Sequence, residues 1–84
     1  MRHARAEALD ELEPLLEQLR LRAGLREKSR GVFYRGHDPF LHFHEDPTGM
    51  HADLKIDGSF ERFRAQTARE RDALLQRVDR ALSA

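Results

Sequence analysis

The sequence has no cysteine and no tryptophan. Without cysteine it can build neither a disulfide framework nor a thiolate metal site, so stability has to come from apolar packing or from association. Apolar runs stop at two or three residues and no apolar leader opens the chain. Both absences predict a cytoplasmic protein that neither spans a membrane nor is exported. Lysine is nearly missing too, and the dominance of arginine favours a bacterial source of high GC content. No glycine-rich phosphate loop occurs, and Ser29, Ser59 and Ser83 fall in a linker, a turn and the C-terminus. With no serine or cysteine nucleophile beside a histidine, catalysis is not expected, and neither is a cofactor.

The 84 residues suffice for one domain, 1–84. A chain this small hides only about 60 to 65 per cent of its unfolded surface, which leaves little room for a deep cleft. Net charge is zero, but the charges come in blocks. Glu7, Asp10, Glu11, Glu13 and Glu17 come early, and Arg20, Arg22, Arg26, Lys28 and Arg30 follow. Acids at the start and bases at the end of a helix complement its dipole.

Leu9, Leu12, Leu16, Leu19 and Ala23 recur at spacings of three and four, one stripe of an amphipathic helix. Pro14 lies on the opposite side of that stripe, either at a bend or in the first turn of a helix starting near Asp10; Gly24 ends the segment. Thr67 and Glu70 form a T-x-x-E capping box ahead of Leu74, Leu75, Val78, Ala81 and Leu82, which predicts a second helix over 68–82. Between them Gly31, GHDP (36–39), DPTG (46–49) and DG (57–58) isolate three strand-length segments, VFYR, FLHFHE and MHADLKI. The predicted fold is α+β, a three-stranded antiparallel sheet with both helices on one face, in the order α-β-β-β-α. Phe60 and Phe63, three apart, read as a helical turn plugging the core.

Alternation in the third strand puts Met50, Ala52, Leu54 and Ile56 on one face and His51, Asp53 and Lys55 on the other. DPTG also suits a three-residue type I turn with a glycine bulge, which would put the histidines on the core side, but a four-residue connection makes the apolar faces agree and sets Glu45 opposite Met50, Phe43 opposite Ala52 and Leu41 opposite Leu54. The same rule at GHDP sets Arg35 opposite Phe40, Tyr34 opposite Leu41 and Val32 opposite Phe43. The helix-free face then carries Phe33, Arg35, Phe40, His42, His44, His51, Asp53 and Lys55. His44 faces His51 and His42 faces Asp53, close enough for hydrogen bonds or a shared ion. Three imidazoles and a carboxylate are proper zinc ligands. No partners that would orient those rings are evident, so the expected site is not a metal site but a partner-binding face. Phe33 and Phe40 beside Arg35 would expose enough aromatic area to need a cover, and a second copy of the chain, giving a homodimer, is the simplest one.

The α-β-β-β-α order with both helices on one side of the sheet resembles the double-stranded-RNA-binding domain. That resemblance implies RNA contacts from His37 in the loop after VFYR and from Arg69 and Arg71 at the start of the last helix. Arg20, Arg26, Lys28 and Arg30 would add phosphate contacts. TARERD interleaves Glu70 and Asp72 where that family carries a block of lysines, and nucleic acid therefore ranks below a protein partner.

Overall fold

The leucine stripe forms helix α1 (Ala6–Arg20), which buries Leu9, Leu12, Leu15, Leu16 and Leu19 along one side. The computed structural model describes residues 2–3 and 5–83. Pro14 lies inside α1 rather than in its first turn, and it is exposed. Its missing N–H therefore costs one helical bond on the wet side without removing a packing residue. The helix ends at Arg20, so Ala23, expected on the stripe, falls beyond it and is exposed. Helix α2 (Ala68–Ser83) begins at the capping box. Glu70 N donates to Thr67 Oγ1 at 3.1 Å, and Thr67 N donates to Glu70 Oε1 at 2.9 Å. Two otherwise orphaned donors are thereby satisfied.

The two-residue strand β1 (Arg2–His3) precedes α1; β2 (Leu25–Ser29), β3 (Val32–Arg35), β4 (Asp38–Asp46), β5 (Gly49–Ile56) and β6 (Ser59–Arg64) follow it. The last five form an antiparallel meander in the order β2-β3-β4-β5-β6, while β1 pairs with the far half of β4, beyond the reach of β3. The sheet thus has five main strands where three were expected. LREKS was read as a linker, yet it pairs with β3 as an exposed edge strand with a bulge between Glu27 and Ser29. SFERFR is a strand as well, not a helical turn. Asp57 and Gly58 both take positive φ, 52° and 83°, as a tight hairpin turn requires, and the chain returns from Ile56 to Ser59 along β5.

The β4–β5 register is the expected one throughout, from Leu41 opposite Leu54 to Glu45 opposite Met50. The β3–β4 register is not. Gly36 and His37 alone make that turn, and Arg35 pairs with Asp38, Phe33 with Leu41 and Val32 with His42. A bulge falls between the Phe33 and Tyr34 pairs, so Phe40 and Leu41 both turn inward. Phe33 and Phe40, expected on the helix-free face, are 1% and 4% exposed in the core. Arg35 also belongs to the helix side, where it donates to the Ala81 and Leu82 carbonyls at the end of α2, both at 3.3 Å. The motive for a dimer through an exposed Phe33–Phe40 patch goes with them.

One core unites the two helices with one sheet face. Phe33, Phe40, Leu41, Phe43, Met50, Ala52 and Leu54 pack with the α1 leucines and with Leu74 and Val78 of α2. Each large side chain so buried stabilises the fold by about 1.5–3 kcal/mol. Both helices therefore lie on the same side, and the other face of the sheet carries none. Among the described residues no helix is long and apolar enough to cross a membrane.

Candidate functional site

The helix-free face is where period-two alternation sends the polar residues of β4 and β5. His42 stands opposite Asp53 and His44 opposite His51, as the register predicts. The third neighbour, β6, sets Arg62 opposite Asp53 and Arg64 opposite His51. Their contacts divide the four expected residues into two groups.

The first group is His42, His44 and Asp53, whose ligand-type atoms all lie within 4.8 Å of one another. His42 Nδ1 is 2.9 Å from His44 Nε2, and His44 Nε2 is 2.9 Å from Asp53 Oδ2. The two rings stand nearly perpendicular, at 80°, with their centres 4.7 Å apart. Arg62 grips the carboxylate with both arms, Nε to Oδ1 at 2.9 Å and Nη2 to Oδ2 at 3.1 Å. That guanidinium holds the Asp53 carboxyl below its ordinary range against the opposing effect of partial burial, and His44 adds to the lowering. Phe60 closes one side with its ring 5.0 Å from that of His42.

The second group is His51, Asp46 and Thr48. His51 is 8% exposed, and its Nε2 lies 3.0 Å from Thr48 Oγ1 and 3.4 Å from Asp46 Oδ1. Its Nδ1 is buried without a hydrogen-bond partner among the described residues. Thr48 also hydrogen-bonds Asp46 through its hydroxyl and its N–H, and these bonds lower the carboxyl's pKa. Histidine and hydroxyl thus address the same carboxylate oxygen, so Asp46 does not sit behind the imidazole as a relay would require. His51, turned toward the 46–48 turn, is not in the metal-capable group.

Of the other expected partner-binding residues, Lys55 is on this face, its Nζ 5.2 Å from the Phe60 ring, while Phe33, Arg35 and Phe40 are not. The expected nucleic-acid set is scattered. Arg20 is bound to Glu13 and Glu27, Arg30 to Asp10 and Glu13, and Arg71 to the Ala65 carbonyl. His37 and Arg69 are exposed at the β3–β4 turn and the start of α2, and Arg26 and Lys28 flank Tyr34 on the helix-free face. A pocket of about 620 Å³ opens between the β3–β4 and β5–β6 turns and the end of α2. Its lining includes Arg35, Phe40, Lys55 and Arg80 but no member of either histidine group. Arg62 and Phe60, the neighbours that shape the first group, escaped the sequence reading because β6 was not recognised as a strand.

No family model, no curated protein and no solved structure matches the chain.

Proposed function

We propose that the chain is a small non-catalytic binding module whose helix-free face holds a divalent metal ion, zinc being the best suited, between His42, His44 and Asp53. One observation carries the reading: a single ring nitrogen, His44 Nε2, lies 2.9 Å from both His42 Nδ1 and Asp53 Oδ2, and it has only one proton or one lone pair to give them. If His44 donates its proton there, His42 Nδ1 and Asp53 must share it. If His42 donates instead, the His44 lone pair faces the carboxylate. A cation at the point of convergence satisfies all three at once. Tetrahedral zinc with bonds near 2.0–2.2 Å sets its ligands about 3.3 Å apart, a few tenths of an ångström beyond the two hydrogen-bonded edges, and the third pair, His42 and Asp53, is within 4.8 Å.

Arg62 supplies the outer partner that the sequence alone did not suggest, orienting Asp53 toward the histidines. Its own charge opposes the metal, and three protein ligands leave a coordination position to water. Both effects point to micromolar rather than nanomolar affinity. Calorimetry with Zn²⁺ is the direct test, with one saturable site expected. His44→Ala and Asp53→Asn should each weaken it more than tenfold, and His51→Ala should leave it nearly unchanged. No saturable binding, or binding indifferent to His44→Ala in a variant whose circular dichroism shows it folded, overturns the reading.

A further inference from the structure

The cations of the helix-free face are not spread evenly over the molecule. Strand β2 contributes Arg26 and Lys28 and β6 contributes Arg62 and Arg64, one pair at each edge of the sheet, with Lys55 on β5 between. Arg62 is held by Asp53 and Arg64 reaches Glu70 at 3.4 Å, while Arg26, Lys28 and Lys55 have no carboxylate within ion-pair distance among the described residues, so the face keeps an excess of positive charge. The chain as a whole is neutral. The balancing excess of acid is on α1, where Glu7, Asp10, Glu11 and Glu17 are exposed. A polyanion approaching the molecule is steered to the sheet and away from that helix.

Two aromatic rings break this surface, and each has a cation over it. Lys28 Nζ is 4.6 Å from the centre of the Tyr34 ring and Arg26 is 6.0 Å away, while Lys55 Nζ is 5.2 Å from the centre of the Phe60 ring. Phe60 is 43% exposed, unusual for phenylalanine. Tyr34 on β3 and Phe60 on β6 are three strand spacings apart, about 14 Å. From these features we propose that the helix-free face binds single-stranded nucleic acid, with bases stacking on Tyr34 and Phe60 and the flanking cations meeting phosphates. An exposed cation–π contact is worth only about 0.5–1 kcal/mol, so a stacking base can displace the ammonium. The freed charge is then beside the phosphate of the same nucleotide. Stacking on a side-chain ring contributes about 1–3 kcal/mol per base, which repays the exchange. An acidic protein would use the cations but not the rings, and a duplex keeps its base faces covered.

The test is fluorescence anisotropy of labelled oligothymidylate and oligouridylate of about 15 nucleotides, the upper range for a single small fold. The buffer contains EDTA, so metal occupancy of the histidine group plays no part and the two proposals can fail separately. Saturable micromolar binding is expected at about 50 mM salt, with log K falling linearly in log salt by about 0.7 per phosphate engaged. Tyr34→Ala and Phe60→Ala should each weaken it about thirtyfold, the middle of the stacking range. Arg69→Ala, at the start of α2, should not. Circular dichroism of each variant checks the fold. Absence of saturable binding overturns the proposal, as do equal affinities for a duplex or for polyglutamate, or aromatic variants that bind like the parent.

Discussion

Gly31 is the residue on which the join between the sheet and α1 turns. Its φ is +80°, and a Cβ built there would lie 2.7 Å from Leu9 Cδ2, deep inside contact distance. Its N–H donates to Glu27 Oε2 at 3.0 Å, and its carbonyl accepts from Phe43 N at 3.3 Å. Gly31→Ala therefore combines left-handed strain with displacement of a core leucine, and should cost about 2–4 kcal/mol in urea denaturation. Gly36→Ala is the control: φ is +64° there too, but nothing lies within 4 Å of the new methyl, and the cost should be the strain alone, about 1–2 kcal/mol. Equal losses at the two positions would show that Leu9 yields freely. At this scale the histidines of β4 were legible, because H-x-H on a strand fixes a common face and MHADLKI fixes which one. Phe40 was not. A bulge spends one residue without changing side, and its one mark in GHDPFL is Pro39, which withdraws an N–H from an inner strand.

At the scale of elements, α1 carries a defect that its amphipathic pattern conceals. Pro14 is exposed inside the helix, so Pro14→Ala should restore the bond to the Asp10 carbonyl and remove the ring's clash without opening a cavity. A gain of about 1–3 kcal/mol in thermal unfolding is the expected outcome. A loss would show that Pro14 helps seat the leucines on the sheet. The helices were legible in the sequence because each announces one face by its leucines, and α2 also by its cap. The outer strands were not. β2 and β6 are edges with one neighbour each, so their residues stay half wet and the alternation that marks an inner strand is diluted by charge. Phe60 and Phe63 misled in the same way, since a spacing of three fits a helical turn. On β6 the two rings take opposite faces, Phe63 packing against the core and Phe60 beside His42.

For the whole molecule, carboxylates tie the layers together and set its response to acid. Glu13 and Glu27 share Arg20, Glu13 also holds Arg30, and Asp79 of α2 holds Arg22 beyond α1. All three carboxyls titrate below their ordinary values of 4.5 for Glu and 3.8 for Asp. For Glu27 partial burial works the other way, but the Arg20 guanidinium and the Gly31 N–H outweigh it. A carboxyl depressed in the folded state contributes stability that is complete above its unfolded value and is withdrawn as pH falls through the folded one. The urea midpoint should therefore drop as pH falls from about 5 to about 3, and Glu27→Gln should flatten part of that slope. A midpoint constant over this interval would mean that the ion pairs contribute nothing to folding.

The meander has a further consequence, for the order in which the chain can assemble. From β2 to β6 every strand bonds to its immediate sequence neighbour across a tight turn, and the β2–β3, β3–β4, β4–β5 and β5–β6 turns each span only two residues. Closing so short a loop costs little entropy, and each hairpin can form before the next is reached. The long closures are those that bring α1 and β1 back onto β4 and the core. The sheet can zip outward from any of its turns, and the slow, sequence-distant event is the arrival of the N-terminal segment that seals the leucine layer.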